Sequence, residues 1–209
     1  MFSIRKIPAV LISLFLGSHS FAGQQAHVVV ELFTSQGCSS CPSADAFHRE
    51  LSKKNNVLAL AFHVDYWDYI GWKDSFAHPI FSKRQKTYAR LASQTAVYTP
   101  QFMINGQTAV AGSEPNKLRR EISKSLQIKN QIQIALSSAG NQVQINLSEA
   151  KPARSFKADV LAIYFIPEAK VAIERGENSG RVINYSNIVT KIEKLGQWNG
   201  QSAWRKSIL

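Results

Sequence analysis

Cysteine is scarce in this chain: there are two among 209 residues, and both lie in the segment Cys38-Ser39-Ser40-Cys41. The absence of any other cysteine excludes a multi-disulfide scaffold and a four-cysteine zinc site. A disulfide between Cys38 and Cys41 closes a very short loop, and the stabilisation that a disulfide gives grows with loop length. Because the pair is a poor structural staple, its position predicts a chemical use.

Long apolar runs are equally scarce, and the one at the start of the chain is short. Arg5 and Lys6 precede the apolar run Val10 to Gly17, and Ser20-Phe21-Ala22 is a small-x-small cleavage site. This pattern predicts a secretory signal peptide over residues 1–22. A transmembrane helix needs ~20 apolar residues, more than this run offers. We therefore expect a periplasmic or secreted protein with no stable membrane anchor after signal cleavage.

Acidic residues are few: the chain has 14 Asp and Glu residues and 25 Lys and Arg residues, which gives a formal charge of +11. Loss of Arg5 and Lys6 with the signal peptide leaves +9. The basic residues are scattered, with no run longer than pairs such as Lys53-Lys54 and Arg119-Arg120. We therefore expect the charge to aid solubility and general surface attraction, and we expect no nucleic-acid partner.

Hydrophobic patterning predicts an α/β fold in residues 23–127. The predicted elements are, in order, a buried strand at 27–33, a helix at 43–53, a buried strand at 57–64, a helical insertion at 65–96, strands at 101–104 and 107–111, and a helix capped by Ser113. Asn105-Gly106 is a strong two-residue hairpin signal between the last two strands. The order β-α-β, helical insertion, β-β-α predicts a parallel unit followed by an antiparallel hairpin and a covering helix.

After residue 127 the pattern becomes that of strands. Apolar residues alternate with polar ones on both sides of Gly140-Asn141, which predicts a hairpin. Residues 160–166 form another predicted strand. Residues 188–195 fit a helix by spacing, but their β-branched content favours a strand. We expect residues 128–209 to form a β-rich C-terminal extension that packs on the first domain.

The two cysteines are predicted to have different roles. Pro42 fits only in the first turn of a helix, which places the helix start near Ser39 or Ser40. Cys38 then lies just ahead of the helix, where free N–H groups and the helix dipole lower a thiol pKa. We expect Cys38 to be the more exposed, attacking thiolate and Cys41 to be the resolving thiol.

A lone Cys-x-x-Cys motif also allows half of a zinc site, a soft-metal site or a redox-inert disulfide. Zinc would need two further ligands, for which His48, His63, Asp65 and Asp68 are the nearby candidates. Copper would favour methionine ligands, but Met103 is the only methionine beyond the signal peptide. We predict no metal and no cofactor.

Thr99-Pro100 precedes the third predicted strand. One interpretation is an ordinary trans proline at a strand start. The other is a cis proline that exposes the Thr99 backbone beside the sulfurs, where an extended peptide substrate would pair with it. Only ~5% of X–Pro bonds are cis, but the position at the start of the β-β-α half favours the second interpretation.

With its Cys-x-x-Cys motif after a strand and Thr99-Pro100 before another, the sequence resembles the thioredoxin superfamily. More closely, Glu31 to Pro42 (ELFTSQGCSSCP) resembles the signature of a secreted bacterial thioredoxin-like family classed as a domain of unknown function. Residues 63–69, 71–74, 98–101 and 175–181 are similar to its further motifs, and we expect 175–181 to be a hydrogen-bonded loop that ties the C-terminal extension to the first domain. The resemblance implies a thioredoxin-like fold in the periplasm. Ser-Ser between the cysteines, in place of a Gly-Pro or Pro-His type of pair, leaves the redox potential open.

Glu31 is similar in position to the buried acid that relays a proton to the resolving thiol in thioredoxins. The resemblance implies that it lies beneath Cys41 with a pKa raised by desolvation; the alternative is a strand-end carboxylate paired with a lysine. The favoured function is a thiol–disulfide oxidoreductase acting on protein or small-molecule thiols. Its expected catalytic residues are Cys38, Cys41 and Glu31, and Thr99 and Pro100 are expected to bind substrate. The remaining alternative is a redox-inert interaction protein.

Overall fold

The computed structural model describes residues 28–128, 132–148 and 156–208, so the predicted signal peptide lies outside the described residues. The described residues form three helices and nine strands, which are, in chain order, β1 (Val28–Thr34), α1 (Cys41–Leu51), β2 (Val57–His63), α2 (Pro79–Leu91), β3 (Gln101–Ile104), β4 (Thr108–Ala111), α3 (Pro115–Leu126), β5 (Ile134–Ala139), β6 (Gln142–Leu147), β7 (Ala158–Ala172), β8 (Val182–Trp198) and β9 (Trp204–Ile208). None of the helices described is long and apolar enough to cross a membrane.

A mixed six-stranded sheet forms the centre of the molecule, in the strand order β4-β3-β1-β2-β8-β7. Strands β1 and β2 are parallel over their whole length, and β3 pairs antiparallel with both β1 and β4. The element order β-α-β, helical insertion, β-β-α is the one that the sequence pattern predicts. The structure is therefore mixed α/β, with a second sheet of three strands, β5-β6-β9.

The central sheet has a different helix layer on each face. Successive side chains of a strand point to opposite faces, so Val28, Val30 and Leu32 of β1 pack with α1 and α3, in one buried cluster. Phe33 points the other way and packs with Phe81 of α2 in a second cluster. Full burial of each such side chain contributes ~1.5–3 kcal/mol. A side chain at the end of β1 therefore contacts either the α1 and α3 layer or the α2 layer, depending on its position in the strand.

The β7–β8 hairpin is part of the central sheet, whereas the sequence predicts a β-rich C-terminal extension that packs on the first domain. Ala61 of β2 pairs in parallel with Ile188 of β8, so the hairpin widens the central sheet. Residues 188–195 are strand, because β8 is sandwiched between β2 and β7 and its β-branched residues suit that position. Strand β7 extends well beyond the predicted 160–166.

The N-cap of helix α1 agrees with the predicted start near Ser39 or Ser40, and the N-cap of helix α3 lies one residue from the predicted one. Helix α1 begins at Cys41 with Ser40 as its N-cap, because residues 38–41 form a turn in which Cys41 N–H donates to the Cys38 carbonyl at 3.1 Å. Helix α3 has Glu114 as its N-cap, one residue after the predicted Ser113. Cys41 therefore occupies the first helical position, without a preceding turn of helix.

Candidate functional site

Cys38 and Cys41 form a disulfide at the carboxyl end of β1, where the chain enters α1. Both residues are buried, with exposed fractions of 1% for Cys38 and 0% for Cys41. The predicted greater exposure of Cys38 is therefore wrong for this disulfide form. The reason is that two other parts of the chain cover the residues on either side of it.

The helical insertion supplies the first part of this cover. A Cβ atom on Gly37 would lie 3.2 Å from Ile70 Cδ1 and 3.3 Å from Trp67 Cβ, so the insertion packs directly on the residue before Cys38. Trp72 Nε1 donates to Gln36 Oε1 at 2.8 Å. The insertion thereby holds both side-chain and backbone positions of the turn that leads into the cysteines.

The loop between β7 and β8, residues 173–181, supplies the second part. Asn178 is buried, and its Nδ2 donates to the carbonyls of Gln36 at 2.9 Å and Cys38 at 2.8 Å. The amide N–H of Ser39 donates to Glu177 Oε2 at 3.3 Å. These hydrogen bonds tie the loop to the first domain, as its sequence predicts, but nothing in the sequence indicates that Glu177 and Asn178 reach the residues beside the cysteines. Asn178 lies 140 residues from Cys38 in the chain, a separation that local patterns cannot bridge.

Thr99 and Pro100 lie at the same end of the sheet as the disulfide. The Thr99–Pro100 peptide bond is cis, as predicted. A Cβ atom on Gly112 would lie 2.5 Å from Pro100 Cγ and 3.0 Å from Ala44 Cβ, so Pro100 packs close to the first turn of α1. Trp67 Nε1 donates to Thr99 Oγ1 at 2.7 Å, which links Thr99 to the part of the insertion that touches Gly37.

Glu31 is buried, but on the other face of the sheet from the cysteines. Arg84 of α2 donates to both its carboxylate oxygens, from Nε at 2.7 Å and from Nη2 at 2.6 Å, and Tyr88 OH donates at 2.9 Å. This differs from the predicted position beneath Cys41. The physical reason is strand alternation: Glu31 lies between Val30 and Leu32, which face α1, and so it must face α2.

One buried carboxylate on the cysteine side is Asp45, four residues after Cys41 on α1 and 3% exposed. Thr34 Oγ1 donates to its Oδ1 at 2.8 Å, whereas Oδ2 has no hydrogen-bond partner within the described chain. Burial raises the pKa of Asp45 from 3.8 to about 7, against the opposing effects of the charge on His63 and the hydrogen bond from Thr34. The i, i+4 spacing to Cys41 was the signal in the sequence that would have found it.

A buried ion pair lies on the same face. His63 Nδ1 and Asp74 Oδ2 are 2.7 Å apart, and neither side chain is exposed. Burial opposes ionisation of both, but their mutual attraction raises the pKa of His63 and lowers that of Asp74. Asp74 Oδ2 also accepts the Gln36 N–H at 2.8 Å, so the pair is tied to the turn before Cys38.

The candidate zinc ligands do not come together. Among the described residues, no group of three or more His, Cys, Asp or Glu side chains has the geometry to hold a metal ion. Asp65 accepts a hydrogen bond from Ser82, and Asp68 Oδ1 accepts the Asp74 N–H at 3.1 Å. Burial lowers the pKa of His48 to about 3, aided by the charge on His63, so His48 is neutral.

The fold and site define a class: a mixed α/β protein with a buried Cys-x-x-Cys disulfide at the start of a helix. Over residues 29–208 the chain matches the family described as protein of unknown function (DUF1223), and it belongs to that family.

Two solved structures are similar to the chain. Protein AGR_C_4864 of Agrobacterium tumefaciens, a structural genomics target, is 34% identical with a TM-score of 0.75, over 88% of this chain and 78% of that one. HBP35 of Porphyromonas gingivalis is 14% identical with a TM-score of 0.61, over 90% of this chain and 65% of that one, a likeness of fold alone. No curated protein matches the chain significantly.

Proposed function

We propose that this protein is a thiol–disulfide oxidoreductase of thioredoxin-like fold that acts on protein thiols in the periplasm without a cofactor. The observation that carries the proposal is the Cys38–Cys41 disulfide at the first turn of α1, at the same end of the sheet as the cis Thr99–Pro100 bond. The parallel β1-α1-β2 unit and the antiparallel β3-β4 hairpin with α3 support the thioredoxin-like assignment.

The reaction is a pair of exchanges. In the reduced protein, the Cys38 thiolate attacks one sulfur of a substrate disulfide, forms a mixed disulfide and releases the other substrate sulfur as a thiolate. Cys41 then loses its proton and attacks Cys38 Sγ. This second step forms the Cys38–Cys41 disulfide and releases the remaining substrate sulfur, so two electrons pass from the protein to the substrate. The reverse sequence oxidises a substrate dithiol.

Asp45 is the group best placed to accept the Cys41 proton. Both residues are buried, they lie one helical turn apart, and helical side chains lean toward the N-terminus, which directs Asp45 toward Cys41. Its Oδ2 is free of any hydrogen bond within the described chain. A carboxyl group with a pKa of about 7 is well matched to proton transfer at neutral pH. Asp45 thus takes the role first predicted for Glu31.

Substrate binding is assigned to the surface beside Thr99 and Pro100. Two exposed aromatic residues are neighbours of this region in the chain: Tyr98, 42% exposed, precedes Thr99, and Tyr69, 80% exposed, precedes Ile70, which lies close to Gly37. Aromatic rings of this kind contribute large apolar contact area while keeping a polar group in water. An extended segment of a substrate protein would pair with the Thr99 backbone and contact these rings.

Insulin reduction with a dithiol as electron source, together with a measured redox potential, tests the proposal. Wild type should reduce insulin disulfides, and Cys38→Ala should abolish the activity. A wild-type protein that neither reduces insulin nor equilibrates with glutathione is redox-inert, which contradicts the proposal.

Metal analysis of the reduced protein separates the soft-metal alternative, because bound copper at one per chain would support that function instead. Fractionation of cells that express the full chain tests the export of the protein.

A further inference from the structure

The β7–β8 loop carries a carboxylate to the backbone of the redox motif. Glu177 Oε2 accepts the Ser39 N–H at 3.3 Å, and Asn178 anchors the loop to the Cys38 carbonyl at 2.8 Å. Asn178 is 1% exposed, whereas Glu177 lies at the surface. The buried anchor therefore fixes the place of an exposed negative charge against the backbone of Ser39, the residue directly after the predicted nucleophile Cys38.

A charge at this place acts on the Cys38 thiolate. Backbone N–H groups near a helix N-terminus stabilise a neighbouring thiolate, and a nearby negative charge disfavours it. Glu177 destabilises the thiolate in two ways. It accepts the Ser39 N–H, which is then not free to stabilise the thiolate, and it adds a second negative charge nearby. Other ionisable groups are buried on the cysteine side of the sheet: Asp45 and His48 on α1, and the His63–Asp74 ion pair from β2 and the insertion.

Cations also lie in this region. Arg181, at the end of the same loop, lines a groove with Pro42 and Arg49 of α1, and the exposed Arg175 lies two residues before Glu177. None of these charges hydrogen-bonds the backbone between the two cysteines, as Glu177 does. The difference between the wild type and a Glu177 variant therefore isolates the carboxylate, because the other charges are common to both.

We propose that Glu177 is a positioning residue that disfavours the Cys38 thiolate and so shifts the equilibrium of the Cys38–Cys41 pair toward the disulfide. The inference rests on the proposed function and adds a residue that tunes its redox equilibrium. In the reducing direction, each cycle transfers two electrons and two protons from the dithiol to a substrate disulfide, and an external dithiol reductant restores the protein.

Glu177→Gln is the test variant, because it keeps the shape of the side chain and removes the charge. Glu174→Gln is the matched control, since Glu174 is an exposed glutamate of the same loop. Two quantities are measured on each protein: the pH midpoint of Cys38 alkylation by iodoacetamide in the reduced form, and the equilibrium constant with glutathione.

For Glu177→Gln the alkylation midpoint should fall by about half a pH unit. The equilibrium should shift about threefold toward the reduced form, where tenfold corresponds to about 30 mV. The control should match wild type. High salt should shrink the difference between wild type and Glu177→Gln, because the carboxylate is exposed. A merely structural role for Glu177 would produce no such dependence on salt.

Equal midpoints in Glu177→Gln and the control would overturn the inference, and so would a shifted midpoint without a shift in the glutathione equilibrium. Failure of the proposed function is distinguishable from both results. In that case wild type does not equilibrate with glutathione at all, whereas the alkylation midpoint still reports the effect of Glu177 on Cys38.

Discussion

Each face of the central sheet buries a carboxylate near the end of β1, and the two carboxylates differ in how many hydrogen bonds they receive. On the α2 face, Glu31 receives three hydrogen bonds from Arg84 and Tyr88. On the α1 face, Asp45 receives one, from Thr34, and one of its oxygens has no partner in the described chain. Arg84 thus compensates the charge of Glu31, whereas Asp45 has one oxygen without a hydrogen bond and its burial raises its pKa to about 7.

The difference shows why burial alone does not identify a proton-transfer group. Both carboxylates are less than 5% exposed. The guanidinium of Arg84 keeps a raised pKa although burial lowers it, because Glu31 bonds and attracts it. Asp45, by contrast, faces a histidine that is already paired with Asp74. The first carboxylate has an ionic partner of its own, and the second is the one to which we assign proton transfer at the cysteines.

Removal of the cation on the α2 face should have the largest effect on stability. Arg84→Met leaves Glu31 buried without its charged partner, which should cost about 3–5 kcal/mol of unfolding free energy. The double variant Glu31→Gln with Arg84→Met should recover much of this loss, because it leaves no buried charge. Urea denaturation measures both. A loss below about 1 kcal/mol for the single variant would show that the ion pair is not what stabilises this face.

On the α1 face, Asp45 should make stability depend on pH in the opposite sense to an ordinary carboxylate. Its pKa rises from 3.8 to about 7 on folding, so the folded state binds the proton more tightly. This contribution is complete below about pH 4 and is lost as pH rises toward 7, by at most about 4 kcal/mol.

The pH effect of Asp45 is read as the difference between wild type and Asp45→Asn, since the other buried groups are common to both proteins. Relative to the variant, wild type should lose unfolding free energy between pH 4 and pH 7. Parallel stability curves for the two proteins over this range would contradict the raised pKa.

Asp45 and Glu31 should also differ in their effect on the resolving step. Asp45→Asn should slow attack by Cys41 on the mixed disulfide by about 100-fold at neutral pH, because the proton acceptor is lost. Glu31→Gln, the matched control from the opposite face, should change this step by less than about threefold. Stopped-flow reduction of a model disulfide separates the resolving step from the initial attack by Cys38. Equal slowing by the two variants would mean that neither carboxylate acts directly on Cys41.

The smallest expected effect concerns access to the disulfide. Asn178→Ala removes the two hydrogen bonds that hold the β7–β8 loop over Gln36 and Cys38. The oxidised protein should then be reduced several-fold faster by a phosphine, because a net loss of about 0.5–1.5 kcal/mol per hydrogen bond favours opening of the loop. Ser179→Ala, in the same loop but bonded to Glu174, is the control. Unchanged rates in Asn178→Ala would show that the loop does not limit access.

The comparison also explains what the sequence could and could not predict. The order of strands and helices through α3 follows from hydrophobic periodicity, and the hairpin at Gly140-Asn141 follows from turn chemistry. The facing of Glu31 depends on strand register, where a shift of one residue reverses the side chain. Asp45 could have been predicted from the sequence, because it lies four residues after Cys41 in a predicted helix.

Long-range pairing accounts for what was missed. The parallel pairing of β8 with β2 joins Ile188 to Ala61, and nothing local in either segment encodes the other. The burial of Cys38 has the same origin, because Asn178 and the insertion both reach it from distant parts of the chain. Local patterns identified the cysteine pair as the candidate site, and its burial depends on the tertiary structure.

The central claim, that Cys38 exchanges with protein disulfides, is tested most directly by trapping. Cys41→Ala lacks the resolving thiol, so a mixed disulfide formed at Cys38 should persist. Expressed in cells as the full chain, it should yield discrete adducts on non-reducing gels that disappear with reductant and are absent from the Cys38→Ala, Cys41→Ala double variant. Mass spectrometry should then identify exported proteins joined to Cys38. If Cys41→Ala gives no more adduct than the double variant, Cys38 is not a thiol–disulfide exchange centre and the account is wrong.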